Sequence, residues 1–174
     1  MHRAADLYDL ASGCFGCHVI DDEELVRAGH PVAGGTDFIA YTQGAMRHNF
    51  VRGQRGENAE SSPERRGQMH VVSQSAELVH ALRALSDAGA GSYADHQVAQ
   101  VRRALKELEK ASGRAPAKEL REIVEVVRAL RIDASAGAAA SKAAKQVEAR
   151  GRALAQPSRE SEFGGVAPAK RARK

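Results

Sequence analysis

The segment whose residue types and spacing could do chemistry most directly is Cys14-Phe15-Gly16-Cys17-His18. Two thiols three positions apart share one helical turn, and a histidine follows at once, which is the C-x-x-C-H pattern of covalent haem attachment. From one turn the two thiols can form thioethers with the two vinyl groups of a single porphyrin, while His18 places its imidazole on the iron. One short segment then anchors the ring and supplies an axial ligand. Other chemistries also use paired cysteines. A zinc finger has the form C-x2-C-x12-H-x3-5-H, but Gly34, Gly35 and Thr36 stand where its last ligand belongs after His30. A thioredoxin-like redox pair follows a strand in a βαβ unit, and no such alternation is present here. A disulfide or a chance pair of inert thiols is the remaining reading.

Haem iron has a second axial position, and His30, His48, His70, Met46 and Met69 are the candidates to fill it. His30 comes first: it lies in Ala28-Gly29-His30-Pro31, where glycine permits close approach of the backbone and proline stiffens the exit. His48, in Met46-Arg47-His48-Asn49-Phe50, is the alternative distal ligand, and Arg47 beside it can pair bidentately with a haem propionate. Met46 or Met69 would give His/Met ligation and a higher potential. Met69 has no following proline, however, and methionine is commonly core filler. His80 and His96 lie about 200° from their apolar stripes, a position that predicts solvent exposure.

These residues resemble a known family. Cys14-Phe15-Gly16-Cys17-His18, Ala28-Gly29-His30-Pro31, Asp37-Phe38, Thr42-Gln43-Gly44 and Arg47-His48-Asn49-Phe50 together look like the C-terminal region of multihaem c-type cytochromes, in the superfamily of tetrahaem electron carriers from nitrogen-cycle bacteria. The resemblance covers roughly residues 8 to 85. It implies that Cys14 and Cys17 are the attachment cysteines, His18 the proximal ligand and His30 a distal ligand to this haem or a neighbouring one, with His48 carried over more weakly. It also implies one covalently attached haem c in this chain, an extracytoplasmic, periplasmic location, and redox proteins or neighbouring haem modules as partners. Family members carry several C-x-x-C-H motifs, whereas this sequence has one and no visible signal peptide. It therefore reads as part of a longer electron-transfer chain. A single-haem class I cytochrome is a competing resemblance, but its downstream Met-Pro segment is lacking.

The elements that must position these residues are helical. Residues 34 to 70 are rich in Gly, Arg and Asn, so the pattern predicts mostly loop around one short element from Asp37 to Met46. From Ser73, Leu78, Val79, Leu82 and Leu85 share one face until Gly89 and Gly91. A second helix, capped by Ser92, presents Ala94, Val98, Val101, Leu105 and Leu108, with Arg102, Arg103, Lys106 and Lys110 toward water. Pro116 opens a third, striped by Leu120, Ile123, Val124, Val127 and Leu130, and the short connection predicts antiparallel packing. The Ala-rich stretch from Ala138 to Ala155 has helix propensity but few large apolar residues, so its docking should be weak. The chain thus divides into a haem c-binding segment (1–72), a helical bundle (73–155) and a disordered basic tail (156–174). Its fold class is mainly α: a haem-binding loop/helix segment, then an antiparallel helical hairpin or small bundle.

Composition removes several function classes. The chain has 174 residues and a formal charge of +4 with a pI near 9.3, a balance that on its own would nominate nucleic acid. The whole surplus, however, lies in residues 151 to 174, where Arg152, Arg159, Lys170, Arg171, Arg173 and Lys174 face only Glu160 and Glu162. A neutral body without Trp lacks the stacking platforms of a single-strand binder, so no dedicated nucleic-acid domain is expected. No apolar run approaches the roughly 20 residues of a membrane helix, so the chain is read as not transmembrane. The function expected is one-electron transfer by a bis-histidine c-type cytochrome, and no residue is assigned a catalytic role. The competing class is a helical scaffold or adaptor, with residues 73–155 as its partner surface and the cysteines a disulfide or chance pair.

Overall fold

Apolar residues at three- and four-residue spacing produce helices throughout the computed structural model, which describes residues 6–30, 37–43 and 61–166 and contains no strand among them. In chain order these are α1 (Leu7–His18), α2 (Glu23–Arg27), α3 (Phe38–Thr42), α4 (Pro63–Asp87), α5 (Ser92–Ser112), α6 (Lys118–Arg128) and α7 (Gly137–Leu154), closed by a 3-10 helix, Pro157–Phe163. The mainly α fold expected from the sequence is the fold observed.

Helix α4 is the axis of the assembly. The Ser62 hydroxyl accepts the Arg65 N–H at 3.1 Å and Pro63 occupies the first turn, so the helix starts ten residues earlier than its apolar stripe indicates. Its 25 residues span about 37 Å. The expected segment boundary at 72/73 therefore falls inside one continuous helix. Every residue from Val71 to Val79 is buried, including Ser73, Gln74, Ser75 and Glu77. Such a helix must satisfy its polar side chains internally. Ser73 Oγ donates to the His70 carbonyl at 2.9 Å and Ser75 Oγ to that of Val71 at 2.8 Å. Glu77 accepts from Gln74 at 3.1 Å and pairs with Arg103 of α5. Arg103 is thus half-buried against α4, whereas its neighbours Arg102, Lys106 and Lys110 face water as expected. Helix α5 also begins differently: Gly91, with φ of 140°, precedes Ser92 without a side-chain cap.

Helix α7 docks more intimately than its composition predicts. Ala140, Ala143, Ala144, Val147, Gly151 and Leu154 are buried, and this small-residue face brings its backbone close to α4 and α1. A Cβ on Gly151 would lie 2.6 Å from Tyr8 Cε2 and 3.2 Å from Ser75 Cβ. At Gly151 there is no space for a side chain, and the alanines let the helices approach closely. The facing stripes of α5 and α6 are likewise used internally, with Val101, Leu105, Leu108, Leu120, Ile123, Val124 and Val127 all buried.

Residues 157–166, expected as part of a disordered tail, are instead packed on α4. Phe163 is fully buried, and a Cβ on Gly67 would meet the Phe163 carbonyl oxygen at 2.3 Å. Arg65, itself fully buried, donates to Gln68 at 2.7 Å and to Glu160 at 3.3 Å, while Gln68 donates to the carbonyls of Leu154 and Gln156. Arg159 bonds Glu119 of α6 at 2.7 Å. Charged residues that look like tail composition in the sequence are therefore the clasp of the last helix. Residues 167–174, with Lys170, Arg171, Arg173 and Lys174, lie outside the described residues.

Burial pushes the Glu77 carboxyl above the usual carboxylate range, and Arg103 pulls it back. The Arg103→Ala variant should lose about 2 kcal/mol at pH 7, less than the ~3–5 kcal/mol of a fully buried pair because Arg103 is partly in water. With its pKa raised further, Glu77 binds its proton more tightly when folded than when unfolded, so stability falls as pH rises. Thermal melts of this variant should show the deficit at about pH 7 shrinking toward about pH 5. An equal deficit at both would contradict the buried-charge account.

Candidate haem-attachment site

The site is built on α1. Leu7, Tyr8, Ala11 and Phe15 recur at helical spacing and are buried against the bundle, so the helix is held by one face. Tyr8 lies against Gly151, and the Arg152 guanidinium sits 4.7 Å over its ring while also bonding Asp9 at 2.7 Å. These contacts hold the first two turns. The residues of interest occupy the last turn, with Cys14 half-buried and Cys17 and His18 exposed. At 100° per residue, Cys14, Cys17 and His18 fall within an arc of about 100° on the helix. Beside them, a Cβ on Gly13 would have nothing within 4 Å. Both cysteines are free thiols. Cys14, Cys17 and His18 are thus together on the last turn of an otherwise anchored helix.

Two polar ties bracket this turn. Before it, Ser12 Oγ and His80 Nε2 of α4 share a hydrogen bond of 3.0 Å; after it, Gln97 Nε2 of α5 donates to the Ile20 carbonyl at 2.7 Å. His80, expected in solvent, is half-buried, and its Cε1 would lie 3.7 Å from a Cβ at Gly16, within the motif itself. Burial and the Arg83 cation lower its pKa, while Asp21, the Ser12 bond and Glu148 oppose this. His96, also expected in solvent, is half-buried with its Nε2 3.1 Å from Gln100 Nε2. Neither tie is visible in the sequence: Ser12 and His80 are 68 residues apart and Ile20 and Gln97 are 77 apart. Only an off-stripe histidine on a helix that is buried all round could have hinted at the first.

The chain leaves α1 through Asp22, whose carboxylate accepts the backbone N–H groups of Glu24 and Leu25 at 2.8 and 3.1 Å and so starts α2. None of the residues of α2 is buried, and Leu25 is 45% exposed. His30 follows, exposed, just after Gly29 at φ of 85°. Met69 is fully buried in the core, as filler, and His70 is half-buried on α4 with its pKa lowered chiefly by burial. Met46, Arg47 and His48 lie outside the described residues. Among the described residues no three His, Cys, Asp or Glu side chains converge as a metal-holding group, and no helix is long and apolar enough to cross a membrane.

No protein-family model, curated protein or solved structure matches this chain.

The two thiols should differ in reactivity. Desolvation, and secondarily Cys17, raise the Cys14 pKa and lower its thiolate fraction, whereas Cys17 is exposed. Alkylation of the haem-free protein at neutral pH, followed by peptide mass spectrometry, should label Cys17 several-fold faster than Cys14. Equal rates would mean that the last turn is not held as described.

Proposed function

We propose that the chain is a c-type cytochrome segment that carries one covalently bound haem c for one-electron transfer. The observation that carries this reading is the placement of Cys14, Cys17 and His18 together on the last turn of α1, with Cys17 and His18 exposed. The residues present fit the group. An apolar plate over this turn would find two free thiols within one turn and the open side of Gly13. A zinc site would instead require its ligands to converge, while thioether attachment needs the sulfurs only to reach ring carbons.

In this reading Cys14 and Cys17 would hold the group covalently, as thioethers. The bound haem supplies Fe(III)/Fe(II) cycling. The chain's own part is to hold His18 as the proximal imidazole, offer His30 as the distal one, and keep the helix bearing the attachment rigid through Tyr8, Asp9 and Phe15. His48 stands as the alternative distal ligand and Arg47 as a propionate partner. Two histidines on the iron would leave no open position for a substrate, which fits electron transfer. Redox proteins or neighbouring haem modules are the partners proposed, and an extracytoplasmic, periplasmic compartment the location, because haem attachment takes place there. No observation favours the scaffold alternative, since the α5 and α6 stripes it would use are spent on the core.

A pyridine-haemochrome spectrum of protein made with the haem-attachment machinery should be that of haem c, and Cys14→Ser with Cys17→Ser should abolish it. His30→Ala should convert a low-spin spectrum to high-spin. An unchanged spectrum would reject His30 and bring His48 forward.

A further inference from the structure

The attachment turn is joined to the bundle by polar contacts that electron-transfer chemistry by itself does not call for. On α4, His80 lies alongside the C-x-x-C-H segment, with Nε2 bonded to Ser12 and Cε1 3.7 Å from a Cβ placed on Gly16. The first two turns of α1 are fixed by apolar packing and by Arg152, but beyond Ala11 only Phe15 and Val19 are fully buried. A helix end held by so few apolar groups frays unless a polar contact holds it. The Ser12–His80 bond does this from α4, and the Gln97 bond to Ile20 does it from α5 just beyond the motif.

We propose that His80, acting through Ser12, is a positioning residue that fixes the orientation of the Cys14–His18 turn and thereby of the proximal imidazole. It is neither an iron ligand nor an attachment residue. The inference rests on the haem reading above and adds to it a residue, 62 positions from His18 in the sequence, whose removal alters the electronic environment of the iron without removing any covalent or axial bond. His80 is bonded to Ser12 of α1, and the charges that act on it are Arg83 on its own helix, Asp21 in the α1–α2 connection and Glu148 of α7.

The test is a double-mutant cycle on the haem-loaded protein, using Ser12→Ala, His80→Ala and the pair, with His80→Gln as the conservative variant. Haem content by pyridine haemochrome is measured first: if the parent protein carries no haem c, the haem reading fails and this inference with it. With haem present, both single variants should keep stoichiometric haem c and a low-spin spectrum. Each should shift the midpoint potential and the EPR g-values in the same direction. The double variant should shift them no further than either single change, because one bond is being removed, and His80→Gln should restore part of the shift. Additive shifts, or no shift in either single variant, would overturn the proposal while leaving the haem reading standing. Conversion of His80→Ala to high-spin iron would overturn it differently, by making His80 a ligand. If His80→Ala does not fold, Ser12→Ala on the exterior helix gives the same readout, and an unshifted potential there is decisive against it.

Discussion

Burial of α4 on every side is the constraint from which the rest of the structure follows. A helix whose middle third has no solvent face must be surrounded, and it must find partners for each polar side chain it carries. Both demands shape its neighbours. Helix α7 approaches with alanine and glycine, and at Gly151 a side chain would not fit against Ser75 and Tyr8. Helix α5 contributes Arg103 to the Glu77 carboxylate, and the closing 3-10 helix meets the fully buried Arg65 with Glu160. The last of the surrounding elements is α1, and it brings the cysteine motif with it.

That arrangement separates support from chemistry. Helix α1 is anchored by Leu7, Tyr8, Ala11 and Phe15, which all belong to the common core, while Cys17 and His18 remain exposed. The exposed side chains of Cys17 and His18 thus stand at the edge of the bundle, on a turn that Phe15 holds to the core. Among the described residues, α1 shares one hydrophobic core with α4.

Much of this was legible in the sequence, and the failures have a common cause. The stripes of α5 and α6 were readable because amphipathic helices carry their burial pattern at a period of 3.6. The C-x-x-C-H motif was readable because its spacing is local. The start of α4 was missed because Arg65, Gln68 and Gly67 look like loop composition, although in the fold they bond and admit the closing helix. The docking of α7 was underestimated because close approach by small residues leaves no hydrophobic signal. Likewise, Arg159 and Glu160 read as solvated tail, yet their partners lie 40 and 95 residues away. His80 and Gln97 were invisible for the same reason. Contacts between distant polar residues leave no periodicity to read.

The central claim is that Cys14 and Cys17 are attachment points for one haem on an anchored helix. Intact-mass measurement with thiol titration, on protein produced in the periplasm together with the haem-attachment machinery, tests it most directly. The account predicts a mass increased by one haem, stable to denaturation, and no titratable thiol. An unmodified mass with both thiols still free would contradict it.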